Sequence, residues 1–275
     1  MKNVKIAAIQ MVSTPDLATN LARARHWLAE AAAQGAELVA LPEYFCLIGR
    51  ADADKLAIAE TPGDLRAPIQ RMLSETAAQL GVWIIGGTLP LRTASTGLVR
   101  NACCVYAPDG RQAARYDKIH LFRFDDGRES YDEGRVLEAG SEPVAVQAGP
   151  IRVGLSVCYD LRFPELYRRM SFEPGQPACD LISVPSAFTY TTGEKHWDLL
   201  LRARAVENQA YVIAPAQGGL HENGRRTWGH TMIIDPWGEV LACLPEGEGL
   251  VLAELDRARL AQVRRQLPAL QHCRL

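Results

Sequence analysis

Three polar side chains of complementary chemistry stand at the ends of strand-like runs in this 275-residue sequence. Glu43 follows one apolar run, Lys118 lies between apolar residues after another, and Cys158 follows a third. Nucleophilic attack on an amide carbonyl requires three groups: a thiol nucleophile, a carboxylate base and a fixed cation. Glu43 would take the thiol proton and later pass it to the leaving nitrogen. Lys118 and the Tyr159 N–H would stabilise the negative charge on the carbonyl oxygen.

The sequence around Cys158 predicts a strand followed by a helix. The β-branched, apolar run Ile151–Val157 indicates a buried strand, and Pro164 is typical of a helix start, where its missing N–H costs nothing. Cys158 would then face a helix N-terminus, which favours a thiolate. We interpret Asp160 and Arg162 as an ion pair that shapes this turn, together with Glu165.

Each of these residues also has a simpler interpretation when it is considered alone. A buried cysteine is usually a small hydrophobic residue, an acid after a strand is often solvated, and a lysine usually points outward. A Cys-His pair is an alternative, but no histidine lies in a papain-like or caspase-like segment. The histidines considered are His120, His196, His221 and His230.

Composition excludes several classes of function. The net charge is −2 and the pI is near 6.3, so we expect neither a nucleic-acid partner nor an anionic membrane partner. No signal peptide or apolar stretch long enough to span a bilayer is seen, which predicts a cytoplasmic protein. The seven cysteines form no C-x-x-C motif, so a zinc ribbon is not predicted and reduced thiols are expected.

The order of predicted elements indicates the fold class. Strands and helices alternate in the first part of the chain, beginning with a strand over Val4–Met11 and a helix that ends near Gln34. Later helices are predicted over 64–80 and 194–209, and antiparallel strand pairs dominate the middle and end. This mixture predicts an α/β layered sandwich. We expect a single domain over 1–275, with a core at about 4–255 and a C-terminal helix and tail over 256–275.

Three motifs carry a resemblance to a known family. Leu41–Tyr44, Tyr116–Leu121 and Val157–Glu165 are similar, in order and spacing, to motifs of the nitrilase superfamily of carbon–nitrogen hydrolases. The resemblance implies a four-layer α-β-β-α sandwich and a Glu-Lys-Cys triad formed by Glu43, Lys118 and Cys158. It also implies a homodimer or larger homo-oligomer that pairs through a helical face, and no metal or organic cofactor.

The same family has a second glutamate between the lysine and the cysteine, which helps to position substrate or water. Glu129 fits that place in this sequence. Glu133 is the alternative, because the segment after Lys118 is shorter than in animal relatives.

Segments after the third motif resemble the deaminated glutathione amidase branch of this superfamily. They are Pro185–Trp197, Leu201–Asn208 and Leu267–His272. The resemblance implies hydrolysis of deaminated glutathione to 2-oxoglutarate and cysteinylglycine. Substrate contacts are expected from Phe188, Tyr190, Thr191 and Thr192, although an ordinary turn rich in Ser and Thr explains the threonines equally well.

Two other functions remain open from the sequence. One is a related amidase that acts on 2-oxoglutaramate, a carbamoyl amine or another small amide. The other is a non-catalytic interaction protein that keeps the fold. The presence of an acid, a cation and a thiol at three strand ends argues against the second alternative. We therefore expect a small-molecule amide as the partner.

Overall fold

The computed structural model describes residues 2–127 and 129–274. Its strands are β1 (Val4–Gln10), β2 (Leu38–Ala40), β3 (Trp83–Ile85), β4 (Leu89–Arg92), β5 (Val99–Tyr106), β6 (Gln112–Asp117), β7 (Arg123–Asp125), β8 (Ser130–Asp132), β9 (Val144–Ala148), β10 (Ile151–Leu155), β11 (Leu181–Ser183), β12 (Tyr211–Ala214), β13 (Gly218–Leu220), β14 (Arg226–Trp228), β15 (Thr231–Ile234), β16 (Val240–Leu244) and β17 (Gly249–Leu255). Its α-helices are α1 (Leu17–Ala33), α2 (Asp54–Ala57), α3 (Pro68–Leu80), α4 (Pro164–Ser171), α5 (Tyr190–Asn208) and α6 (Arg257–Gln266).

Two mixed sheets form the centre of the protein. The first has the order β17-β1-β2-β3-β5-β4, with β6 paired to β5, and its β1, β2 and β3 are parallel. The second has the order β16-β15-β12-β11-β10-β9, and its β10, β11 and β12 are parallel. Two short antiparallel pairs, β7 with β8 and β13 with β14, lie outside these sheets.

The side chains of β1 show how the layers stack, because successive residues of a strand point to opposite faces. Ile6 and Ala8 pack in a core shared with strands of the second sheet and with α4 and α5. Ala7 and Ile9 pack in a separate core with α1 and α3. Both faces of β1 are therefore buried. The arrangement is an α-β-β-α sandwich, as the sequence predicted.

The helix boundaries follow local chemistry. The Asp16 carboxylate accepts a hydrogen bond from the Thr19 N–H at 2.7 Å and caps α1. Helix α3 begins at Pro68 rather than at residue 64, because the Asp64 carboxylate binds the Arg66 N–H in a preceding turn. Helix α5 begins at Tyr190, four residues earlier than predicted. None of the helices in 2–127 and 129–274 is long and apolar enough to cross a membrane.

The segments that follow strands of both sheets carry the predicted residues. Glu43 follows β2 and Lys118 follows β6 in the first sheet, whereas Cys158 follows β10 in the second. Hydrogen bonds connect the two sheets at this place, including one from the Ala187 N–H to a Glu43 carboxylate oxygen. The sandwich therefore brings together residues that are more than a hundred positions apart in the sequence.

Candidate active site

The ammonium group of Lys118 lies between two carboxylates in the interior of the protein. Its Nζ is 2.9 Å from Glu43 Oε1, 2.8 Å from Glu133 Oε2 and 3.0 Å from Glu133 Oε1. The Lys118 and Glu43 side chains are fully buried. Burial alone would lower the pKa of Lys118, but the charges of Glu133 and Glu43 outweigh it and raise that pKa well above its usual range. Lys118 is therefore a fixed positive charge.

Glu43 has one acceptor site that faces the Cys158 thiol, to which it is hydrogen-bonded. Its Oε1 accepts hydrogen bonds from Lys118 and from Asn101 Nδ2, both at 2.9 Å, and its Oε2 accepts one from the Ala187 N–H at 3.0 Å. An ionised carboxylate has about four acceptor sites in total. The remaining site on Oε2 can take a proton from a thiol or a water molecule, so Glu43 has the geometry of a base.

Glu133 has no acceptor site left. Its Oε1 accepts from the Tyr44 hydroxyl at 2.8 Å and from Lys118, and its Oε2 accepts from Lys118 and from the Phe122 N–H at 2.7 Å. Burial raises the pKa of Glu133, but Lys118 and these hydrogen bonds outweigh it, and the net effect is a lowered pKa. Glu133 is therefore a charged group that holds Lys118 in place.

Cys158 opens a tight 3-10 turn, Cys158–Arg162, which lies between β10 and α4. Its φ of 50° is in the left-handed region, which costs a residue with a side chain about 1–3 kcal/mol. The Cys158 N–H donates to the Pro185 carbonyl at 2.9 Å. The Asp160 carboxylate accepts from the Val157 N–H at 2.8 Å and from the Tyr116 hydroxyl at 2.7 Å. These bonds hold the cysteine in its strained conformation.

The state of the Cys158 thiol differs from the expectation. Burial, followed by the negative charge of Glu43, raises the pKa of Cys158 well above its usual range, and Lys118 lowers it by less. The expected helix N-terminus does not face the sulfur, because the 3-10 turn separates Cys158 from α4, which does begin at Pro164. The resting group is a thiol, which needs a base such as Glu43 to become a nucleophile.

This raised pKa has a measurable consequence. We expect the rate constant for alkylation of Cys158 by iodoacetamide to rise from neutral pH to beyond pH 9, since the thiolate fraction grows about tenfold per pH unit below the pKa. Peptide mass spectrometry at a series of pH values measures this rate constant of alkylation. Cys46, whose burial raises its pKa to about 12, serves as the unreactive internal reference. A plateau near neutral pH would show a thiolate and contradict this.

A narrow pocket opens over Cys158, Glu43 and Glu133. Three of the predicted substrate contacts, Tyr159, Phe188 and Thr192, line it. Tyr159 is the second residue of the 3-10 turn, so its N–H has no acceptor within that turn. The other lining residues are Phe122, Arg162, Ala187, Thr189 and Arg225.

Two predicted substrate contacts lie elsewhere. Tyr190 is the first residue of α5, and its ring packs edge-on against Trp228 and under the Arg226 guanidinium. Thr191 is exposed, and its hydroxyl lies 3.5 Å from a Glu129 carboxylate oxygen. Neither side chain is among those that line the pocket over Cys158.

The structure places the two candidates for the second glutamate differently. Glu129 lines a neighbouring cleft and makes no contact with Lys118, whereas Glu133, the alternative left open by the sequence, contacts it directly. The β7–β8 pair explains the difference. Glu129 lies in the turn between the two strands, and Glu133 follows β8, where its N–H donates to the Phe122 carbonyl at 3.0 Å.

Two arginines in the pocket were not predicted as site residues. Arg162 makes no ion pair with Asp160. Its guanidinium instead lies over the rings of Tyr159 and Phe188, at 5.8 and 5.6 Å. Arg225 donates to the Ala187 carbonyl at 2.7 Å. The pocket therefore carries two cations beside the thiol. The sequence could have identified Arg162 as a site residue, since it follows Cys158 in the same motif.

Comparison with known proteins identifies the class. The family model described as carbon-nitrogen hydrolase matches residues 5–265. A deaminated glutathione amidase from Synechocystis sp. is 43% identical over 276 residues, which cover 99% of this chain and 98% of that protein. Human omega-amidase NIT2 is 36% identical over 275 residues, which cover 100% and 96%. This chain belongs to the carbon-nitrogen hydrolase family, within the nitrilase superfamily.

Solved structures agree with this assignment. The C. elegans NitFhit protein matches with a TM-score of 0.88 and 34% identity over 99% of this chain, which spans 65% of that longer chain. A mutant amidase from Nesterenkonia sp. AN1 matches with a TM-score of 0.78 and 25% identity over 96% of this chain and 98% of that one. Its structure shows the result of Michael addition of acrylamide at the active site cysteine. The protein is an amide-hydrolysing enzyme and not a non-catalytic relative of one.

Proposed function

We propose that this enzyme hydrolyses its amide through a thioester on Cys158, with Glu43 as base and Lys118 as the fixed cation. One observation carries the proposal. A buried ammonium joins Glu43 and Glu133, and both carboxylates line the pocket that contains the strained Cys158. A cluster of this kind supplies a nucleophile, a proton acceptor and electrostatic stabilisation at one place.

The first half of the reaction forms the acyl-enzyme. Glu43 takes the Cys158 proton along the hydrogen bond that joins the two side chains while the sulfur bonds to the amide carbon. The Tyr159 N–H and Lys118 stabilise the resulting oxyanion. All three N–H groups of Lys118 already have partners, so one bond to Glu133 is exchanged for a bond to this oxygen. The carbon–nitrogen bond then breaks, and the amine leaves with the proton held by Glu43.

The second half releases the acid. A water molecule loses a proton to Glu43 as its oxygen bonds to the thioester carbon. The carbon–sulfur bond breaks, the carboxylic acid leaves and the proton returns to Cys158. Glu133 holds Lys118 throughout, because its own acceptor sites are filled by Tyr44, Phe122 and Lys118.

The substrate that we favour is deaminated glutathione, cleaved to 2-oxoglutarate and cysteinylglycine. Relatives named as deaminated glutathione amidases support it, at 43% identity in Synechocystis sp.. The pocket supports it as well. Arg162 and Arg225 line it beside Cys158, and guanidinium groups bind carboxylates such as that of a 2-oxo acid.

A second candidate is omega-amidase activity on 2-oxoglutaramate. The 36% identity to human omega-amidase NIT2 over the whole chain supports this candidate. The two substrates share the 2-oxoglutaryl group and differ in the leaving group, which is cysteinylglycine in one case and ammonia in the other. The arginines that would bind the shared acyl group do not distinguish them.

Turnover of the two amides side by side tests the proposal. Purified protein is given each amide, and 2-oxoglutarate is followed as the common product. We expect faster turnover of deaminated glutathione, together with a KM about tenfold higher for both substrates in the Arg162→Gln variant, which loses one charged contact. Turnover of 2-oxoglutaramate alone would assign the enzyme to the second candidate. Turnover of neither would refute both.

A further inference from the structure

A second cleft lies beside the pocket that contains Cys158, and we call it the outer cleft. Its walls include Tyr44, Arg50, Lys55, Glu129, Tyr131 and Arg225. Arg225 also lines the inner pocket, so the two spaces meet at this side chain. The outer cleft is the wider and more open of the two spaces, and it adjoins the narrow pocket that holds the nucleophile.

Tyr44 forms the partition between the two spaces. Its hydroxyl donates to Glu133 at 2.8 Å, on the side of the buried charges. Its ring faces the outer cleft, where Lys55 Nζ lies 4.7 Å from the ring centroid. A group bound in the outer cleft therefore lies one side chain away from the charges around Cys158.

Among the described residues, two of the three cations that line the outer cleft have no carboxylate partner. Lys55 is paired with Asp52 at 2.9 Å. No carboxylate lies within ion-pair distance of Arg50 or Arg225 in the part of the chain that the structure describes. The Arg225 Nε is buried without an acceptor, and its guanidinium is held 5.2 Å from the Tyr131 ring centroid. Unpaired guanidinium groups of this kind favour an anionic ligand.

We propose that the outer cleft binds the leaving-group half of the substrate, and that Arg50 binds a carboxylate on it. This inference rests on the proposed function. It specifies the substrate class as N-substituted amides whose amine half ends in a carboxylate, the acyl half lying in the inner pocket. A primary amide, which releases only ammonia, does not reach Arg50 and gains nothing from it.

Arg50 separates this proposal from a general effect on the site, because Arg50 lines the outer cleft and not the inner pocket. In the Arg50→Gln variant we expect kcat/KM for deaminated glutathione to fall about tenfold, mainly through KM, since one charged contact is lost. The kcat/KM for 2-oxoglutaramate is expected to stay unchanged. Arg25→Gln, an exposed arginine on α1, is the matched control and changes neither value.

The outcomes are distinguishable from failure of the proposed function. If wild-type protein cleaves deaminated glutathione and Arg50→Gln leaves its kcat/KM unchanged, or lowers the values for both amides equally, the outer-cleft proposal is overturned while the proposed function stands. If wild-type protein cleaves only 2-oxoglutaramate, the favoured substrate and the outer-cleft proposal fall together and the second candidate stands. If it cleaves neither amide, both candidate substrates fall as well. A selective loss with deaminated glutathione supports the proposal.

Discussion

Replacing Cys158 with alanine is expected to lower kcat by at least about 10⁴-fold, because the variant cannot form the covalent intermediate. The fold should survive. The Cys158 side chain is small, and the backbone bonds that hold its turn involve the Pro185 carbonyl and the Asp160 carboxylate, which the substitution leaves in place. The free energy of unfolding should change by about 1 kcal/mol. Steady-state assays together with urea unfolding measure both quantities.

The matched control for this variant is Cys243→Ala. Cys243 is an exposed free cysteine on β16 and should keep full activity when replaced. Loss of activity in both variants would indicate a general role of thiols in stability. Residual turnover of Cys158→Ala above about one per cent of wild type would exclude Cys158 as the nucleophile.

Replacing Lys118 with methionine should remove activity and also destabilise the protein. Methionine fills a similar volume but leaves Glu43 and Glu133 buried without their common cation. Removing one member of a buried ion pair costs about 3–5 kcal/mol of unfolding free energy. We expect kcat to fall by at least about 10³-fold, because the oxyanion loses its charged partner. Denaturant unfolding and assays well below the melting temperature separate the two effects.

A double variant tests whether the two effects have different origins. In Lys118→Met with Glu133→Gln, one of the two unpaired carboxylates is neutral, so part of the lost stability should return while turnover does not. The control is Lys195→Met, which replaces an exposed lysine on α5 and should change neither quantity. Wild-type activity in Lys118→Met, or stability equal to wild type, would contradict the assigned role of Lys118.

The sequence predicted the layers of the fold because their elements have strong local patterns. Strand β1 is apolar on both faces, and α1 begins at an aspartate that caps it. The pairs β7–β8 and β13–β14 were not predicted, since strands of three residues are too short to show alternation. The short pairs matter for function, because they carry Glu133 and Arg225 to the site.

The register of β7 and β8 decides which glutamate faces Lys118. Arg123 pairs with Asp132, which places Glu133 beside Phe122 and leaves Glu129 at the turn. No local pattern in the sequence specifies this register, so the sequence left both glutamates open. The three residues Glu43, Lys118 and Cys158 were named from the sequence because each follows a recognisable strand. In the structure, Glu43 and Cys158 line one pocket, and Lys118 forms an ion pair with Glu43.

Arg162 was interpreted as the ion-pair partner of Asp160 because the two are close in sequence. A 3-10 turn has about three residues per turn, so residues two apart lie on different faces. Asp160 points inward to the Val157 N–H and Tyr116, and Arg162 points to the pocket. The turn type, which the sequence did not reveal, separates a structural residue from one that faces the substrate space.

The most direct test of the account is the mass of the enzyme during turnover. Protein mixed with deaminated glutathione is quenched in acid within the first turnovers, digested and analysed by mass spectrometry. We expect a 2-oxoglutaryl group, bound as a thioester, on the peptide that contains Cys158, and no such group in the Cys158→Ala variant. An acyl group on another residue, or hydrolysis that continues in the Cys158→Ala variant, would contradict it.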